Sequence, residues 1–159
     1  MKITVVPRKW FMDRKGLEEE KIIFKNYNVI SIITPVYDPK NFVEEDVPFS
    51  KKYAKNKNVL VMKFHDYYKE GEGIILMSSQ DALNVKAFVE NMDKTKPLII
   101  HCTAGKSRSY TVGSVLNLVL NRIYDDNMQD YRNFCETYDK VGFENLWVKK
   151  KLMNVFNLN

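Results

Sequence analysis

Four short runs of the chain, "KITVV", "VISIIT", "VLVMKF" and "PLIIHC", are β-branched or apolar almost throughout and are bounded by turn formers and polar residues. Runs of this length and kind read as buried strands. Between the third and fourth lies "SSQDALNVKAFVENM", where Ser78 and Asp81 have capping-box spacing and Val85, Phe88, Val89 and Met92 recur at helical intervals. A helix with a marked start is expected there. After the fourth run, "SYTVGSVLNLVLNR" is too apolar for a surface helix, so it predicts one buried against the sheet, with Gly113 lowering its propensity slightly. Two amphipathic segments finish the chain. Met128, Tyr131, Cys135 and Tyr138 mark one apolar face, and Val148, Leu152, Val155 and Phe156 mark the other. Strands that alternate with helices and then give way to a helical C-terminus predict an α/β sheet covered by helices. Residues 35–58, rich in Pro, Lys and Asn, read as a long surface connection with one helical turn.

Composition narrows the class. At 159 residues, 45% of them hydrophobic, the chain suits one domain over residues 1–159 with a substantial core. Two cysteines, Cys102 and Cys135, make no secreted-type disulfide framework, and no His or Cys cluster has zinc-site spacing. A reduced, cytoplasmic setting without a metal is therefore the expectation. "MKITVVPRKWF" lacks a signal-peptide apolar core, and no stretch approaches the length needed to span a bilayer. The formal charge of +5 favours anionic partners, phosphorylated ones included, without choosing among them.

The chemistry concentrates in residues 101–109, "HCTAGKSRS". Its "GKS" is not a nucleotide-binding loop, because G-x-x-x-x-G-K-[ST] needs a glycine where Ile100 stands. The stretch joins a predicted strand end to a predicted helix start, at the carboxyl edge of the sheet where α/β proteins bind ligands. Successive backbone N–H groups in such a turn form an anion nest with the helix N-terminus. Thr103, Ala104, Gly105, Lys106, Ser107 and Arg108 are thus the candidate phosphate-binding residues. Gly105 permits the backbone angles, and Arg108 adds a planar fork of donors. Thiols at helix N-termini beside cations titrate at roughly 3.5–7.5 rather than about 8.5, so this loop would hold Cys102 as a nucleophile. Ser109 is positioned to donate a hydrogen bond to its sulfur, and His101 either acts on the thiol from one layer behind or is a satisfied core histidine. Expelling an alkoxide or phenolate also calls for a general acid. Asp66 in "FHDYYKEGEG" is the choice, with Gly71 and Gly73 letting the loop move over substrate. Asp81 is better explained as the capping-box carboxylate, and Asp38 and Asp46 sit in the irregular connection.

"HCTAGKSRS" matches H-C-x-x-G-x-x-R-[ST], the signature of cysteine-dependent protein tyrosine and dual-specificity phosphatases, and the chain resembles that family. The resemblance runs from "NVISIIT" through "VLVMKFHDYY" to the apolar helix residues 112–120, and more loosely to the C-terminus. It is nearest to the compact dual-specificity-like branch, because the chain is short for the longer tyrosine-specific domains and lacks their phosphotyrosine-recognition loop. The resemblance implies a central, mostly parallel sheet of four to five strands flanked by helices. It also implies Cys102 as nucleophile, Arg108 as phosphate and transition-state ligand, Asp66 as acid and then base, and Ser109 as thiolate partner. No cofactor or metal is implied, and the expected partner is a phosphorylated protein or another phosphomonoester, not DNA. Two positions depart from the pattern. Lys106 is often apolar in dual-specificity phosphatases but lysine in the tumour-suppressor phosphoinositide phosphatase, which points to a phosphoinositide or an RNA 5′ end as an alternative substrate. Thr103 stands where that enzyme has a second lysine. Tyr110 follows Ser109 where a small residue is common, and either crowds the first helical turn or lines the pocket.

Structural readings compete for other residues. Cys135, on an apolar helical face, reads as core, and Trp10 and Trp147 read as structural. Tyr67, Tyr68 and "PRKWFM" are candidate pocket walls. A phosphate-binding module without turnover, and a sulfurtransferase or redox role, are the alternatives from other classes.

Overall fold

The computed structural model describes residues 1–35, 46–122 and 143–158. The four apolar runs form β1 (Ile3–Pro7), β2 (Asn28–Ile33), β3 (Val59–Lys63) and β4 (Leu98–Cys102). All three pairings are parallel, in the order β1-β4-β2-β3, so both faces must be covered and near-continuous hydrophobicity is what such strands require. The register sets Pro7 opposite Cys102 and Ser31 opposite His101. A parallel sheet brings every strand's carboxyl end to one edge. The residues that follow β1, β2, β3 and β4 therefore meet there, among them Arg8, Thr34, Asp66 and Thr103.

Alternation along the strands divides the core between the two faces. Ile30, Ile32, Leu98 and Ile100 pack into one cluster with Val85 and Val89 of α3 (Ser79–Asn91), Val112 and Leu116 of α4 (Arg108–Asn121), and Val148 and Leu152 of α5 (Leu146–Val155). Val29 and Ile99 face the opposite cluster, with Phe11 of α1 (Arg8–Met12), Ile23 and Phe24 of α2 (Glu18–Asn26), and Phe49. Ser78 caps α3 as the pattern predicts, its hydroxyl accepting from Asp81 N while the Asp81 carboxylate accepts from Ser78 N. Gly113 lets α4 close on β1, since a β-carbon there would lie 2.9 Å from Val5 Cγ2. Asn145 caps α5 by accepting from Val148 N, and Trp147 Nε1 donates to Met77 O, a structural use of that indole.

One expectation is revised, and two helices were not foreseen. The connection over residues 35–58 is not merely superficial: its described part makes the expected helical turn at Lys51–Lys55 but buries Val47 and Phe49. Neither α1 nor α2 is visible as periodicity, because "EEEKIIFKN" sets three apolar residues side by side. What anchors α2 is remote in sequence: Glu20 is buried and accepts from the Ser50 hydroxyl and backbone N–H. The amphipathic segment of Met128, Tyr131, Cys135 and Tyr138 lies outside the described residues, as does Asp38. Among the described residues no helix is long and apolar enough to cross a membrane.

Candidate active site

β4 delivers Cys102 to the carboxyl edge, and the chain then curls tightly before α4 begins at Arg108. Gly105 makes the curl possible. Its φ is +71°, and a β-carbon would sit 2.9 Å from both Pro7 N and Val6 C. The loop is thereby pressed onto the end of β1, where Arg8 N donates to Thr103 O at 3.1 Å.

The sulfur of Cys102, a free thiol only 2% exposed, lies inside the curl. Two donors point at it: Gly105 N–H at 3.3 Å and the Ser109 hydroxyl at 3.0 Å. The second contact is the one expected from sequence. Ser107 precedes α4 but its side chain does not cap the helix, and no acidic residue occupies the first turn. The helix end is left as an anion seat.

Arg108 is 4% exposed. Its Nη1 donates to Phe64 O at 2.7 Å and its Nη2 to Thr103 Oγ1 at 3.0 Å, while Thr103 Oγ1 also meets Thr34 Oγ1 at 3.1 Å. Nε, buried, has no partner among the described residues. A buried cation without a carboxylate partner is unfavourable unless an anion completes its environment, so this guanidinium is built for an occupant.

His101 is fully buried, its ring 5.1 Å from that of Phe11. Nε2 meets Ser31 Oγ at 2.6 Å and Nδ1 faces Cys102 O at 3.4 Å. Burial pushes the imidazole down to about 3; the hydrogen bond to Cys102 opposes this, and the charges of Arg8 and Arg108 add to it. The histidine is neutral at pH 7 and bonds the carbonyl of Cys102, not its sulfur.

Asp66 follows β3 and reaches the same loop. Its Oδ1 accepts from the Ser107 hydroxyl at 2.7 Å and from Asn145 Nδ2 at 2.8 Å. The other carboxylates considered are engaged elsewhere: Asp81 in its capping box, and Asp46 with Lys51 and Val47 N. Thr103 and Ala104 are exposed, and Lys106 is half-buried, its carbonyl accepting from Phe143 N at 2.9 Å. Tyr67 and Tyr68 are exposed and stacked, 6.1 Å between centroids. Tyr110 packs against the hydrophobic cluster under α4. Trp10 stacks under the Arg14 guanidinium. Sequence reasoning missed Asn145 and the side chain of Ser107. Asn145 lies 79 positions from Asp66, and a lone Asn in a polar stretch carries no signal.

A cysteine-bearing curl at the carboxyl edge, an uncapped helix end and a buried arginine with a donor to spare make a seat for a tetrahedral oxyanion beside a thiol. The chain matches the model of the tyrosine phosphatase family over residues 14–151. It belongs to that family. Its α/β architecture, with an all-parallel central sheet and a C-terminal helix, is the one the family resemblance implies. The protein is thus a cysteine-based phosphatase. No curated protein matches the chain.

Proposed function

We propose that this phosphatase hydrolyses phosphomonoesters through a cysteinyl-phosphate intermediate, as a compact protein tyrosine or dual-specificity phosphatase. The observation that carries the reading is the pair of donors on Cys102. An N–H and an O–H aimed at one sulfur stabilise a thiolate, and a thiol that merely fills core space needs neither.

Substrate phosphate accepts hydrogen bonds from backbone N–H groups of the loop over residues 103–108, that of Gly105 staying on the sulfur, and from the spare Nε of Arg108. Cys102 Sγ attacks phosphorus, an S–P bond forms and the P–O bond to the leaving group breaks as Asp66 gives that oxygen its proton. Asp66, now a carboxylate, takes a proton from water as the water oxygen attacks phosphorus. The S–P bond breaks, inorganic phosphate departs, and the electron pair returns to sulfur, where the Ser109 hydroxyl receives the charge.

The test is the pH–rate profile of para-nitrophenyl phosphate hydrolysis by reduced protein, for wild type, Cys102→Ser and Asp66→Asn. The expected profile is a bell, abolished in the serine variant and stripped of its basic limb in the asparagine variant. A reduced wild type that releases no phosphate from aryl phosphates or phosphotyrosyl peptides contradicts the proposal. Loss with Cys102 but not with Asp66 moves the acid elsewhere.

Lys106 supports a second reading. It is a half-buried cation on the phosphate loop with no carboxylate partner among the described residues, which suits a polyanionic substrate such as a phosphoinositide or an RNA 5′ end.

A further inference from the structure

Through its side chain and backbone N–H, Asn145 makes four polar connections, and they run in three directions. Its Oδ1 accepts from Val148 N and starts α5. Its backbone N–H donates to Thr111 Oγ1 at 2.7 Å, and that hydroxyl in turn donates to Ser107 O at 2.8 Å, which ties the residue to the phosphate loop. Its Nδ2 divides between Asp66 Oδ1 at 2.8 Å and Tyr67 O at 3.1 Å. The residue is almost wholly buried, so its amide orientation is dictated by these partners rather than by solvent. The helix cap requires oxygen toward Val148 N, and the nitrogen is therefore left facing Asp66.

Asp66 itself is exposed and follows the strand by three residues, in a loop that runs on through Gly71 and Gly73. A carboxylate on such a segment would sample many rotamers. Here it is pinned on one oxygen by two donors from different elements, Ser107 ahead of α4 and Asn145 ahead of α5. Both bonds fall on Oδ1. A protonated carboxyl can keep both while carrying its hydrogen on Oδ2, so the clasp orients the acid without consuming the proton it must deliver. The bond to Tyr67 O fixes the next peptide as well, and so holds the backbone beneath the carboxyl.

We infer that Asn145 is the positioning residue for the general acid, holding Asp66 over the phosphate loop before substrate arrives. This rests on the reading of Asp66 as the acid. Asn145 touches neither substrate nor the reacting atoms, and it acts only through Asp66. Its effect must then grow with the need for a proton. Esters of weakly acidic alcohols need full protonation of the departing oxygen, whereas esters of acidic phenols depart with little help.

The experiment is the leaving-group dependence of kcat/KM over a series of aryl and alkyl phosphates, for wild type, Asn145→Ser, Asp66→Asn and the double variant. Serine keeps a cap for α5 but cannot reach Asp66. The expected result for Asn145→Ser is a steeper dependence, with roughly a tenfold loss on the least acidic leaving groups and little loss on the most acidic. In the Asp66→Asn background the same change should add nothing. A parallel loss on all substrates, or a full additional loss in the double variant, overturns the inference and assigns Asn145 to the phosphate loop. If Asp66→Asn leaves the dependence unchanged, the acid assignment fails and the inference falls with it. If Asn145→Ser does not fold, Asn145→Asp keeps the cap and shape but replaces the donor with an acceptor. It should steepen the dependence likewise, and an unchanged slope overturns the inference.

Discussion

The Ser109 hydroxyl donates to the sulfur of Cys102 across 3.0 Å, both groups being shut away from solvent. In a buried site a hydrogen bond to an ion is worth more than one to a neutral group, about 1.5–3 kcal/mol. In the proposed mechanism the bond therefore matters most when sulfur leaves phosphorus as an anion. For Ser109→Ala we expect release of the first product to be little changed and hydrolysis of the intermediate to slow by roughly ten- to a hundredfold. Stopped-flow recording of para-nitrophenolate should then show a burst of one equivalent per enzyme. Equal slowing of both phases would remove the special role of this hydroxyl.

His101 gives a stability prediction with a definite sign. Its folded value of about 3 lies below the ordinary 6.5, so between these limits the unfolded chain binds a proton that the folded one refuses. Stability is complete above pH 6.5 and falls as pH drops toward 3, by at most about 1.4 kcal/mol per pH unit. Urea denaturation of wild type and His101→Gln across this range, read as the difference between them, should show wild type losing ground in acid. Parallel curves would contradict a buried neutral imidazole.

Gly105→Ala should damage both fold and activity. The left-handed backbone alone costs an alanine about 1–2 kcal/mol, and the added carbon would meet the backbone of Val6 and Pro7 rather than a side chain able to move aside. A lowered melting temperature together with at least tenfold weaker phosphate release is the expected outcome. An alanine variant of normal stability would mean that the loop and β1 yield more easily than their packing indicates.

Lys106→Ala separates the two substrate readings. If the enzyme serves polyanions, its kcat/KM for a phosphoinositide or a 5′-triphosphorylated RNA should drop about tenfold more than for an aryl monophosphate. Equal small changes on all substrates, with a preference for phosphopeptides, favour the protein phosphatase reading.

The strand–loop–helix unit around Cys102 was legible because each part has a local cause: apolar run, glycine at a left-handed position, buried helix. The Ser78–Asp81 cap was legible for the same reason, as a contact between residues three apart. The α2 helix was not. Its periodicity is blurred by "IIF", and its buried Glu20 finds Ser50 thirty positions away. Asn145 was hidden likewise, since only the folded chain brings the start of α5 to the loop after β3. Asp66 stands between these cases. Its position after a strand suggested the acid, but its partners Ser107 and Asn145 come from the other half of the chain.

The central claim is that Cys102 carries the phosphoryl group during turnover. Its most direct test is rapid acid quenching of enzyme with para-nitrophenyl phosphate, followed by peptide mass spectrometry under acidic conditions. A phosphoryl group on Cys102 should be found in wild type, in larger amount in Ser109→Ala, and not at all when Cys102 is serine. Turnover at full rate with the phosphoryl group on another residue, or on none in Ser109→Ala, would contradict the account.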